Sequence, residues 1–258
     1  MTTTTMKRVC QATFEGFGLV AVSLMAIANA GTAADRPRPA AAVVPIKAAT
    51  MIIEYNASAE DIGIQFFLDS NGWREVEIFD PRGREIFSAE TESSLTRQGG
   101  GTELFLESVE PPIANLPFEA FFKRFPEGNY RFRARDNAGT LQLGLVEFTH
   151  DLPAGPELVS PVPVGDAECA ESVALPVVIE WEPVTTDVFD DDIDVVRYEV
   201  IVENDDLNFD VKFPAETGTK LTVSPELLPR GTAFIFEVLA VDAGGNQTIT
   251  EGCFTTAP

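Results

Sequence analysis

Short apolar runs separated by turn residues occupy most of this chain, and their spacing predicts strands rather than helices. Between residues 51 and 150 the runs are MIIEY, IGIQFFL, EVEIF, REIF, TELFL, NYRFRAR and LQLGLVEF. They are bounded by turn chemistry such as Ser70-Asn71-Gly72, Asp80-Pro81-Arg82-Gly83 and Asn137-Ala138-Gly139. Strands this short and this evenly spaced predict a sandwich or barrel. One segment breaks the pattern. In LPFEAFFKRF, Phe118, Phe121, Phe122 and Phe125 recur at helical spacing behind Pro117, which predicts one short helix with its phenylalanines buried over the sandwich end. From 157 to 258 the runs VVIEW, RYEVIVE, DVKF, KLTV, AFIFEVLAV and TITEGCF repeat the all-β pattern, with Leu158-Val159 positioned to begin it.

Three stretches carry no such period. Residues 34–50 are rich in proline and alanine and predict a disordered leader. DLPAGPELVSPVPVGD, at 151–166, divides the remainder and begins with what reads as a short linker. Ahead of both, Lys7 and Arg8 precede FGLVAVSLMAIANA and the small-residue exits Ala28-Asn29-Ala30 and Gly31-Thr32-Ala33, the layout of a cleaved secretory signal. That apolar run is too short to cross roughly 30 Å of hydrocarbon. The expected organisation is a signal peptide at 1–33, a leader at 34–50, one sandwich at 51–153 and a second at 154–258. The mature chain is then exported, periplasmic or extracellular, with no membrane insertion.

One device occurs twice. FPEGNYRFRARDNAG at 125–139 and LPRGTAFIFEVLAVDAGGN at 228–246 each place a Pro, a Gly two residues on and then an aromatic ahead of an alternating strand and a tight turn. Pro and Gly shape a bend between two sheets, and the aromatic plugs the sandwich end; Tyr130 keeps the hydroxyl of a tyrosine corner.

In the second half VVIEWEP (177–183), VVRYEVIVE (195–203) and the 228–246 segment together resemble a fibronectin type III domain. The resemblance implies that Trp181 is the core tryptophan of the second strand, Tyr198 the tyrosine of the third and Leu228 the leucine before the turn. Phe234 stands where the family usually has tyrosine, so that copy lacks the corner hydroxyl. Residues 51–153 are expected to form a divergent immunoglobulin-like sandwich, and the pair resembles uncharacterised secreted bacterial proteins. No activity follows from the resemblance, because this fold hosts many functions.

Charge narrows the partners. The chain carries 18 basic against 41 acidic residues, a formal net charge of −23. That argues against nucleic acid, whose phosphates need a cationic footprint, and against anionic membrane surfaces. The second half is the more acidic, with Arg197, Lys212, Lys220 and Arg230 as its only basic residues. In DVFDDDIDVV, Asp190, Asp191, Asp192 and Asp194 crowd one loop, and the family topology puts Asp242 and Asn246 at the same pole. Such oxygen ligands suit calcium, a basic partner would be drawn to the same charge, and a solvated loop would look no different. No other cofactor is expected.

Catalytic chemistry is sparse. His150 is the only histidine and could serve as an acid or base, or be structural. The mature chain has no Gly-x-Ser-x-Gly elbow, His-Glu-x-x-His helix or phosphate-cradling glycine loop. Trp73, at a turn-to-strand boundary, could stack on a sugar or pack in the core. The reading is a non-catalytic binding protein whose partner is a protein or glycan at the cell envelope. The alternatives are a secreted enzyme with a cryptic carboxylate site, or a calcium-dependent or glycan-binding module.

Cys169 and Cys253 are the two cysteines left after signal removal, and with no histidine near either in sequence they read as a disulfide in an oxidising compartment. Non-reducing peptide mapping of the exported protein should recover the two linked peptides; two free thiols would contradict the reading.

Overall fold

Sixteen strands and two short helices make up the computed structural model, which describes residues 43–165 and 168–258. The expected signal segment and leader residues 34–42 lie outside the described residues. Among them no helix is long and apolar enough to cross a membrane.

The first sandwich is built from β1 (Val43–Pro45), β2 (Ala48–Asn56), β3 (Asp61–Trp73), β4 (Glu75–Phe79), β5 (Glu85–Glu90), β6 (Gly101–Glu107), β7 (Gly128–Arg135) and β8 (Leu141–Phe148). One face is β1-β8-β7-β4-β5 and the other β2-β3-β6. The period-2 alternation works as expected: along β7, Tyr130, Phe132 and Ala134 point inward and are fully buried while the residues between them face outward. They meet Ile53, Ile64, Phe66 and Leu68 of the opposing sheet in one core. Two helices accompany this half, α1 (Ser93–Gln98) and α2 (Phe118–Arg124). Helix α2 is the expected one, and Phe121 is its buried face. Helix α1 buries no side chain, which is why no apolar period announces it.

The leader expectation fails at its C-terminal end. Residues 43–45 form β1, parallel to β8 through Val43↔Leu141, and β2 starts at Ala48 rather than Met51. Ile46 between them is buried, and its backbone N–H donates to Leu143 O at 2.9 Å. A proline is tolerated there because β1 is an edge strand.

The second half contains β9 (Leu158–Ser160), β10 (Ala170–Val173), β11 (Val177–Trp181), β12 (Val195–Glu203), β13 (Asn208–Pro214), β14 (Lys220–Val223), β15 (Ala233–Asp242) and β16 (Gln247–Thr256). Three strands, β9-β11-β14, face four, β13-β12-β15-β16, the arrangement of a fibronectin type III-like sandwich. Trp181 is buried with its ring 5.2 Å from that of Tyr198, and Leu228 and Phe234 are buried in the same core. Cys169 and Cys253 are joined as a disulfide with a Cα–Cα distance of 4.9 Å. It fastens the segment before β10 to β16.

The repeated device resolves into two different end plugs. Tyr130 is fully buried and its hydroxyl donates to Pro126 O at 3.1 Å, closing the corner. Burial, aided by Asp80, pushes its phenol up to about 12. Phe234, without a hydroxyl, instead stacks on Phe254 at 5.4 Å. Tyr130→Phe should therefore cost roughly 0.5–1.5 kcal/mol for the lost hydrogen bond, and Phe234→Tyr should gain nothing because its site is closed by a ring. Denaturant midpoints of the two variants check this, and equal effects at both positions would contradict the corner.

Candidate functional site

The two halves do not simply follow one another along the chain. Strand β16 pairs with β2 in parallel through Gln247↔Glu54, Thr248↔Tyr55 and Ile249↔Asn56, so one sheet runs β13-β12-β15-β16-β2-β3-β6 through both sandwiches. The far end of the same β16 edge pairs with β10 through Ala170↔Phe254. At the start of β16, Asn246 is 2% exposed and uses both ends of its amide: Oδ1 accepts from Ile53 N at 2.8 Å, and Nδ2 donates to Asp151 O at 2.9 Å and Thr149 O at 3.2 Å. The Thr248 hydroxyl donates to Pro153 O, and Ala154 N donates to Thr186 O. The expected linker is therefore a strap held from both sides, with Leu152 fully buried.

Glu54 lies in this joint. It is 8% exposed, accepts from Gln247 Nε2, and its carboxylate stands within 4.8 Å of those of Glu107 and Glu110. Burial first, and then the neighbouring carboxylates, push its carboxyl up to about 8 despite the bond from Gln247. Three carboxylates this close need a proton or a cation between them. A glutamate inside the apolar run MIIEY was the available sequence signal for this group.

The residues singled out from sequence fare differently. Asp190, Asp191, Asp192 and Asp194 are exposed. Their loop is shaped by Asp187, whose Oδ1 accepts from the backbone N–H of Phe189 and of Asp191, and Phe189 packs edge-on against Phe118 and Phe122 of α2. The acidic loop is thus also a contact of the second half on the first. Asp242 is 4% exposed at the end of β15, opposite Val195. Burial is the main cause pushing its carboxyl up to about 6, and Asp151 adds to it. Among the described residues, the trio of carboxylates close enough to share an ion is Glu54, Glu107 and Glu110, not the loop aspartates.

His150 stacks on Phe122 at 4.2 Å, with Nε2 2.7 Å from Phe125 O. Trp73 is 7% exposed and lies across Gly101, where a Cβ would stand 2.6 Å from its ring. A buried indole offers no platform to a pyranose, which corrects the sugar-stacking alternative for that residue.

A second feature was not anticipated. Arg82 and Arg84 from the β4–β5 turn and Lys123 and Arg124 from the last turn of α2 line one open cleft of about 350 Å3, with Ile86 and Phe125 as its apolar wall and Glu85 as its single acid. Asp80, nearly buried, accepts from Arg84 Nε at 2.8 Å and from the Arg82 backbone at 2.9 Å. Burial alone would raise that carboxyl; the Arg84 bonds hold it below the usual carboxylate range. Arg82, Lys123 and Arg124 make no ion pair among the described residues. The Arg82–Arg84 pair and the Lys123–Arg124 pair lie about 40 residues apart in sequence, so no basic run marks the cleft.

No family model and no curated protein matches the chain. Among solved structures it is similar to a 1.5-MDa bacterial ice-binding adhesin, with 14% identity over 81% of this chain and 65% of that one and a TM-score of 0.26. A tetra-tandem repeat from the extending region of a large adhesion protein gives 14%, 80%, 48% and 0.26. The FN1–FN3 domains of chicken CNTN1 give 13%, 83%, 66% and 0.28. The chain spans less than two-thirds of the length of each. Likeness at this level carries no argument about activity or partner.

The joint has a pH signature. Glu54 titrates near 8 when folded and near 4.5 when exposed, so the folded state binds the proton more tightly. Its contribution is complete below about pH 4.5 and is lost as pH rises through about 8, a decline on the order of 5 kcal/mol. Urea midpoints in chelated buffer should fall over that range in the wild type and fall less in Glu54→Gln; identical slopes would contradict a buried neutral Glu54.

Proposed function

We propose that the chain is an exported, non-catalytic binding module of the cell envelope or extracellular space, and that its partner is an acidic glycan held in the Arg82–Arg84–Lys123–Arg124 cleft. The observation that carries this reading is that Arg82, Lys123 and Arg124, none of them ion-paired among the described residues, converge with the Asp80-paired Arg84 in one open cleft on a chain of net charge −23. Guanidinium forks and an ammonium suit carboxylate or sulfate groups, while Ile86 and Phe125 supply apolar surface for a sugar ring face. His150, the residue a cryptic acid–base site would draw on, is held between Phe122 and the Phe125 carbonyl, which supports binding over catalysis.

The field of the whole protein opposes an anion at long range, and it is screened beyond about 8 Å at 0.15 M salt. The short-range contacts in the cleft survive that screening better. Affinity should therefore peak at intermediate ionic strength rather than fall steadily with salt. Calorimetric titration with a polyuronate and with a neutral glucan at 0.15 M salt is the test. The polyuronate should bind, the glucan should not, and Arg82→Gln combined with Arg124→Gln should weaken binding about tenfold or more. Equal binding of both polymers, or a double variant that binds as the wild type does, would overturn the assignment.

A further inference from the structure

We infer that Glu54, Glu107 and Glu110, with Gln65 beside them, hold one divalent cation of the calcium class on the outer face of the sheet that joins the two sandwiches. The strand register puts the donors on one face. Gln65 of β3 pairs with Glu107 of β6 on one side and with Ile52 of β2 on the other, and Glu54 follows Ile52 by two residues; cross-strand partners and alternate residues of a strand share a face. Ile53, Ile64 and Phe66 point the other way, into the first core. Opposite Glu54 on β3 stands Gly63, which puts no side chain between the acids. Glu110 lies directly against that glycine, since a Cβ there would collide with Glu110 Cγ at 2.7 Å. The three carboxylates each bring an oxygen within 4.8 Å of the other two.

Gln65 adds an independent mark of a ligand. It is 9% exposed, and its side-chain amide makes no hydrogen bond among the described residues. A buried amide without a partner is costly, and this one stands on the ladder rung of Glu107, where its carbonyl oxygen can join the carboxylates as an uncharged donor. Ser108 is no such donor, because its hydroxyl accepts from Ile64 N and donates to Val109 O. Glu54 accepts one bond from Gln247 Nε2, and a carboxylate keeps lone pairs for a further partner. The chief neighbouring charges on Glu54 are those of Glu110, Glu107 and Glu237, all negative. A cation at the meeting point turns that repulsion into attraction.

The distances select the class of ion. Oxygens on opposite sides of a calcium ion lie roughly 4.6–5.2 Å apart, whereas those of magnesium lie roughly 4.0–4.2 Å apart. A spread of up to 4.8 Å suits calcium and is wide for magnesium. Carboxylates and an amide carbonyl are hard donors, and calcium accepts an irregular shell completed by water. The ion would tie β2, β3 and the end of β6 together at the place where Glu54 meets β16 through Gln247.

The test uses the full chain, stripped with chelator and titrated with calcium chloride, magnesium chloride or sodium chloride at matched ionic strength while the melting temperature is followed. Calcium should raise it by on the order of 5–10 °C at 100-fold excess over Kd, and magnesium and sodium by much less. Glu54→Gln keeps an acceptor for Gln247 and removes the charge, so it should melt no lower than the wild type without calcium and gain nothing with it. Glu110→Gln should weaken calcium binding about tenfold or more and Gln65→Met about threefold or more; these two decide if Glu54→Gln does not fold. Asp190→Asn combined with Asp192→Asn, in the exposed loop, should leave the response intact. A wild-type shift no larger with calcium than with sodium, a full response in Glu110→Gln, or a response lost in the loop double variant would overturn the assignment. The glycan cleft shares none of these residues, so the two readings stand or fall separately.

Discussion

Everything distinctive about this molecule depends on three residues of β16 lying against three residues of β2. Gln247–Ile249 and Glu54–Asn56 are 193 residues apart along the chain, yet their parallel pairing fuses two sheets into one. A free edge on β16 would be a template for pairing with other chains. Here the edge is shared out, its first part to β2 and its last part to β10. Asn246 sets the register by holding Ile53 on one side and the strap carbonyls on the other. A slip of one residue would turn every β2 side chain to the wrong face.

The joint is polar, and that choice has consequences. Asn246, Gln247, Thr248 and Glu54 occupy it where an apolar contact would have been simpler and no less stable. Directional hydrogen bonds select one geometry, which apolar packing alone does less well. The cost is concentrated in Glu54, whose carboxylate is forced close to those of Glu107 and Glu110. Asp242 is a second such group on the other side of the clasp. Two buried acids thus lie close to the β16–β2 junction.

The surface proposed to bind a partner is kept apart from that joint. The cation-lined cleft belongs entirely to the first sandwich. Helix α2 connects the two regions: its C-terminal Lys123 and Arg124 line the cleft, while Phe118 and Phe122 receive Phe189 from the acidic loop. The acidic loop therefore does two things at once, presenting exposed aspartates and anchoring the second sandwich through one aromatic ring.

The sequence alone determined the local elements, because strand alternation and turn chemistry are written in neighbouring residues. The seven strand runs of the first half, the helix at Phe118–Arg124 and the core roles of Trp181 and Tyr198 were legible for that reason. The strand at Val43–Pro45 was hidden, since three residues containing a proline carry no period and gain their strand geometry only from β8. Long-range partners were equally silent. Asn246 reads as a candidate ligand until β2 and the strap are brought to it, and Glu54, odd as it is inside an apolar run, has no visible partner until β16 covers it. Arg82 and Arg124 become one cleft only when a turn and a helix end converge. Propensity acts over a few residues, whereas the pairing of strands and the meeting of charges are decided by which surfaces the whole chain can bury together.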